Sequence, residues 1–186
     1  DRVRSVADLS AAHKLDASAV ADDLMHALNG LRIDFGIAGE VDEERALTLR
    51  LYDLRLASQQ RVEARELLVG WLRGQTDDVD ALQRLRGLDR SSGRWEDVVQ
   101  TCNELCRLLE GQPQIDAALG LVEACGALSR LVDARATLES VRDKQPDNQA
   151  IRDHLRVIYR NAGGDAAREL AGVLLDDAKS GSSTQP

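Results

Sequence analysis

Residues 79–113 read VDALQRLRGLDRSSGRWEDVVQTCNELCRLLEGQP, and they decide the fold. From Val79 the apolar residues fall at Leu82, Leu85 and Leu88, the spacing of one helix face. Ser91-Ser92-Gly93 then interrupts with turn-forming residues, one of them a glycine that tolerates positive φ. A second stripe follows at Trp95, Val98, Val99, Cys102, Leu105, Cys106 and Leu109, and Gly111-Gln112-Pro113 closes it. The stretch predicts helix, tight turn, helix, break.

The pattern recurs on both sides. Downstream, Ile115, Ala118, Leu121, Val122, Cys125 and Leu128 form one stripe, with a turn near Ser129-Arg130. Leu131, Ala134, Leu138 and Val141 form the next, closed by Lys144-Gln145-Pro146-Asp147-Asn148. Upstream, Leu47, Leu51 and Leu54 precede a Ser58-Gln59-Gln60 turn and a stripe of Val62, Ala64, Leu68 and Trp71. Equivalent second-helix positions are Ala64, Val98 and Ala134, separated by 34 and 36 residues. A period near 34 residues is that of stacked helical hairpins.

These residues resemble the tetratricopeptide repeat family. Ala64 and Ala134 stand where that family places a small side chain so that two helices can approach. Gly93-Arg94-Trp95-Glu96-Asp97-Val98 is similar to its turn, and Pro146-Asp147-Asn148 to its connector between repeats. The sequence departs from the pattern in one repeat: Leu82 replaces an aromatic, Arg86 a glycine or alanine, and Val98 the small residue. The resemblance implies an all-α, right-handed superhelical array of antiparallel helix pairs. Three hairpins are expected over residues 41–148 and a capping hairpin over 149–178. In the cap, Ile151, Leu155, Ile158 and Tyr159 form one face. Gly163-Gly164 forms its turn, and Ala166, Ala167, Leu170, Val173 and Leu174 the next face. Residues 179–186 are polar and expected to be disordered.

Residues 1–40 carry no clear register. Ser5-Val6-Ala7-Asp8 has capping-box spacing. Asp16 can cap a helix bearing Val20, Leu24, Leu28 and Leu31, ending near Asn29-Gly30 or Phe35-Gly36. Two helices are therefore expected here, and Asp42 is a candidate cap for the hairpin that follows. The start, Asp1-Arg2-Val3, is expected to be a cut from a longer protein.

Composition excludes several function classes. Of the 186 residues, 43% are hydrophobic but only 3% aromatic, so Leu, Ala and Val must do the packing. Acids outnumber bases 32 to 24 and the net charge is −8, which argues against a nucleic-acid partner. The bases are almost all arginine, as a GC-rich, bacterial coding sequence would give. No apolar run approaches the roughly 18–20 residues of a membrane span. Cys102, Cys106 and Cys125 form no CxxC and point to a reducing, cytoplasmic compartment.

The candidate chemistry is sparse. Three thiols near one another could bind a soft metal or form a redox pair. All three occupy apolar stripe positions, however, and buried packing is the commoner use of cysteine. His13, His26 and His154 lack metal-ligand spacing, and His26 is expected to be partly buried. Trp71 and Trp95 read as anchors of their hairpins. Glu40, Asp42, Glu43 and Glu44 read as the acidic first turn of a helix. No catalytic residue, cofactor or metal site is expected.

What remains is the surface of the array, whose first helices line its concave side. By resemblance, the groove-facing positions are Asp53 and Leu56, then Gln83, Gly87 and Arg90, then Leu119, Glu123 and Ala127, then Asp153, Arg160 and Asn161. They lack the Lys/Asn cluster with which chaperone-binding members clamp a carboxyl terminus. The resemblance implies a scaffold that binds a peptide, helix or subunit of another protein, or stacks on itself through an open end. Two alternatives are a regulatory or dimerisation domain of a larger protein, and a helical enzyme acting through its thiols.

Overall fold

A computed structural model describes the backbone of residues 2–162 and Gly172, and the side chains of residues 19–161 and Gly172. Among the described residues the chain is all-α, with no strand. The helices are α1 (Arg2–Ala38), α2 (Val41–Ala57), α3 (Arg61–Leu72), α4 (Val79–Ser91), α5 (Trp95–Leu108) and α6 (Gly111–Ala127). A 3-10 turn at Leu131–Ala134 then leads into α7 (Arg135–Lys144) and α8 (Gln149–Ala162). The chain divides into two compact units, residues 1–81 and 82–186.

The turns repeat more faithfully than the sequence does. Gln59, Gly93 and Ser129 all take positive φ, at 61°, 69° and 56°. Their spacing of 34 and 36 residues is that of Ala64, Val98 and Ala134. In each turn the next amide reaches back to the carbonyl five residues earlier. Gln60 donates to Arg55 at 2.8 Å, Arg94 to Asp89 at 2.9 Å and Arg130 to Cys125 at 2.7 Å. This is the Schellman closure of a helix end, which satisfies carbonyls that would otherwise lack a donor. The expected turns at residues 58–60, 91–93 and 129–130 therefore stand where the sequence placed them.

In the first unit α1 packs on α2, and α2 on α3. Its core is Met25, Leu28 and Leu51, with Leu47, Leu54 and Leu67 against them. The N-terminal segment departs from expectation: α1 is one helix of 37 residues, not two. A glycine inside a helix costs only about 1 kcal/mol, which packing can offset. Gly36 shows how. A Cβ there would come within 2.9 Å of the Glu44 carboxylate, which lies against the glycine and pairs with Arg32 at 3.0 Å. The helix stops at Gly39, whose φ of 75° forms a fourth Schellman turn, with Glu40 N donating to Phe35 O.

The inward face of α1 also differs from the expected stripe. Met25 and Leu28 are buried, while Val20, Leu24 and Leu31 are 67%, 42% and 49% exposed, and His26 is exposed as well. Val62 on α3 likewise faces outward. Asp42 does not cap α2; it lies in the acidic first turn beside Glu43 and Glu44.

In the second unit α5 packs along α6, and α8 packs on α6 and α7. The stripes centred on Val98, Leu121, Leu138 and Leu155 are buried, each large aliphatic contributing about 1.5–3 kcal/mol. Pro113 lies inside the first turn of α6, so the break there shrinks to Leu109-Glu110. Gln114, buried in that turn, donates from Nε2 to the Cys106 carbonyl at 2.6 Å and accepts from Gln145 at 3.2 Å. The expected Gly163-Gly164 turn, the Ala166–Leu174 face and the tail lie outside the described residues. So do the side chains of the Ser5–Asp8 capping box and of His13.

Candidate functional site

The second unit contains a cleft of about 350 Å³ between α4 and α6. α4 supplies Gln83, Arg86, Gly87 and Arg90; α6 supplies Asp116, Leu119, Gly120 and Glu123; Val98 of α5 closes the floor. Helical periodicity explains the set. Gln83, Gly87 and Arg90 are spaced by four and three residues, so they share one face of α4 beside its buried Leu85 and Leu88. Asp116, Leu119, Gly120 and Glu123 share a face of α6 for the same reason.

Charges span the cleft. Arg90 donates from Nε and Nη2 to Glu123 Oε1, at 3.0 and 2.9 Å. Both side chains are largely exposed, so the pair is worth only about 0–1 kcal/mol and opens readily. Asp116 accepts a hydrogen bond from Gln112 at 2.8 Å. Arg86, half-buried, sets its guanidinium near the Cys102 thiol. It has room because α6 carries glycine opposite: a Cβ at Gly120 would lie 3.2 Å from Cys102 Sγ and 3.8 Å from Arg86 Nη1. The arginine that stands in place of a customary small residue on α4 is thus accommodated by a small residue on α6.

Of the sequence-predicted positions, Gln83, Gly87, Arg90, Leu119 and Glu123 come together here. Ala127 is exposed at the end of α6 and does not line the cleft. Asp153, Arg160 and Asn161 are exposed on α8 and also stand outside it; Asp153 accepts from Gln149 and pairs with Arg156. Asp53 and Leu56 lie on α2, in the first unit. Sequence reasoning missed Arg86, Asp116 and Gly120 as cleft residues. Two signals pointed to them: Arg86 breaks the repeat pattern, and Gly120 interrupts a helix with no turn nearby.

The thiols are packing groups by environment. Cys102, Cys106 and Cys125 are buried and unbridged. Burial pushes the Cys102 thiol up to about 11 and that of Cys106 to about 12, and raises Cys125 as well. Cys106 borders a second hollow of about 340 Å³ between α5 and α7, together with Arg107 and Lys144. Those two cations close the last turns of their helices, where they complement the dipole. Among the described residues no group of three or more His, Cys, Asp or Glu side chains is placed to hold a metal ion. Nor is any described helix long and apolar enough to cross a membrane.

No family model matches the chain, and no curated protein does. The chain is similar to the solved structure "MamA MSR-1 C2". The two are 14% identical, the match covers 84% of this chain and 98% of that one, and the TM-score is 0.44.

Proposed function

We propose that this chain is a protein–protein interaction module that holds a segment of another protein in the α4–α6 cleft, without catalysing a reaction. One observation carries this: five positions chosen as groove-facing from the repeat register converge on a single cleft. Its make-up fits a peptide, with one apolar side chain (Leu119), hydrogen-bonding and charged groups, and two glycines that let a backbone come close. A catalytic thiol needs a thiolate, and burial opposes ionisation of all three cysteines.

Photo-crosslinking tests the proposal. With a photoreactive residue at Gln83, a partner should be trapped, and Leu119→Glu should abolish the adduct. Equal trapping from a photoreactive residue at Glu66 on α3 would remove the cleft from the proposal.

A second reading, self-association, is favoured by the exposed Val20, Leu24 and Leu31 of α1. If it holds, light scattering should show a mass above the monomer that Leu24→Glu returns to the monomer value.

A further inference from the structure

We propose that the segment held in the α4–α6 cleft is acidic, and that one of its carboxylates seats against the Arg86 guanidinium. This rests on the cleft being the peptide site.

On a chain with an excess of acids, several arginines of the packed helices find carboxylates. Arg32 pairs with Glu44, Arg45 with Asp78 and Asp80, Arg90 with Glu123, and Arg135 with Glu139. Arg86 does not. Its guanidinium lies near the thiol of Cys102, a weak acceptor that carries no charge while protonated. Burial keeps that thiol protonated far above neutral pH, so it leaves the guanidinium charge unneutralised.

The other charges of the cleft are engaged. Glu123 is held by Arg90, and Asp116 by Gln112. Asp116 keeps its charge beside a neutral amide, so what marks Arg86 is that it is the half-buried cation of the cleft without a carboxylate among the described residues, and an incoming carboxylate can neutralise it. A guanidinium presents a planar fork of donors that fits a carboxylate with two parallel bonds. Gln83 precedes Arg86 by one helical turn and lines the same cleft, so its amide is a second donor.

The glycines complete the site. A Cβ at Gly87 would meet nothing within 4 Å. An alanine would suit the helix better by about 1 kcal/mol, and no neighbour in the fold forbids it. The space it leaves open belongs to the cleft. Gly120 lies across from it, beneath the guanidinium.

The test compares two labelled dodecapeptides, one alternating Gly and Glu, the other Gly and Gln, by fluorescence anisotropy on the whole chain. Wild type should bind the Glu peptide at least about ten-fold more tightly, a difference of about 1.4 kcal/mol. In Arg86→Gln the preference should collapse, and in Arg86→Lys it should fall part-way because the fork is lost. Arg94→Gln, an exposed arginine outside the cleft, should keep it. Circular dichroism checks that each variant folds. In parallel, acetate should shift the Gly87 and Gly120 amide resonances of wild type to saturation, and chloride should not.

Equal binding of the two peptides, a preference retained in Arg86→Gln, or no acetate response would each overturn the assignment. If trapping from Gln83 persists in that event, the cleft remains a peptide site with another specificity. If trapping also fails, both proposals fall.

Discussion

In the first unit, Asp78 gathers donors from three directions, whereas in the second unit Arg86 has a neutral thiol nearby and no carboxylate paired with it among the described residues. Arg45 grips both oxygens of Asp78, at 2.7 and 2.9 Å. Trp71 Nε1 donates to it at 2.8 Å, and the amide of Ala81 at 3.2 Å, which caps the start of α4. Burial alone would push this carboxyl up, but the bonds from Arg45, Trp71 and Ala81 outweigh it and hold it below the usual carboxylate range. Asp78 is a charge wholly committed to folding. Arg86 is half-buried between helices, and among the described residues no acid pairs with it. The difference separates an ionic group that stabilises a fold from one whose charge no described acid neutralises.

The comparison breaks most easily at Asp78. Asp78→Ala strands the Trp71 donor and the Arg45 guanidinium and removes a helix cap, so a loss of about 3 kcal/mol is expected in urea unfolding. Asp78→Asn should remove much of the acid sensitivity as well. The folded pKa lies below the unfolded value of about 3.9, so the stabilisation is full above that value and disappears as pH falls through the folded one. Melting temperature followed from pH 6 to pH 2 should therefore fall more steeply in wild type than in Asp78→Asn.

At the cleft, Gly120→Val sharpens the other side of the contrast. The added atoms press on Cys102 Sγ, itself fully buried, and on the guanidinium of Arg86. Overpacking of this kind costs about 1–3 kcal/mol, and the melting temperature of the second unit should drop accordingly. Arg86→Gln should cost little stability, since no ion pair is lost. A large loss would recast Arg86 as a structural group like Asp78.

The smallest effect concerns the turns. Gln59 and Ser129 adopt the left-handed conformation that glycine takes at Gly93. Gln59→Gly should gain about 0.5 kcal/mol, because relieved strain slightly exceeds the added entropy of the unfolded chain. No gain in a chemical melt would mean that the Schellman bonds hold glutamine there without strain.

Much of the fold was legible because helical hairpins announce themselves locally. Stripe spacing and turn residues placed α2 to α7 in order, although the expected break at Gly111-Gln112-Pro113 is the first turn of α6 and the helix expected from Leu131 opens as a 3-10 turn. Ala64 and Ala134 are fully buried as the register required. The N-terminal helix was misread for a physical reason. Gly30 and Gly36 look like stops, but a neighbouring Glu44 that uses the missing Cβ turns one of them into a packing site. The apolar stripe of α1 was misplaced because Met25, not Leu24, pairs with Leu28 on the buried face, so the helix spends several of its apolar residues on its outer side. Half of the cleft was legible from register. Arg86 and Gly120 were not, because their partnership crosses between helices 34 residues apart and neither residue reveals the other.

The burial of Cys102, Cys106 and Cys125 gives the molecule a reporter of its own local opening. A thiol that cannot ionise in place reacts with a labelling reagent only when its helix lifts away, so the rate of modification measures the population of that opened form. Cys102 and Cys106 report on α5, and Cys125 on α6. Equal rates would mean that the two helices exchange with the opened form as one cooperative block. Unequal rates would show which helix frays first, and whether occupying the cleft slows that fraying.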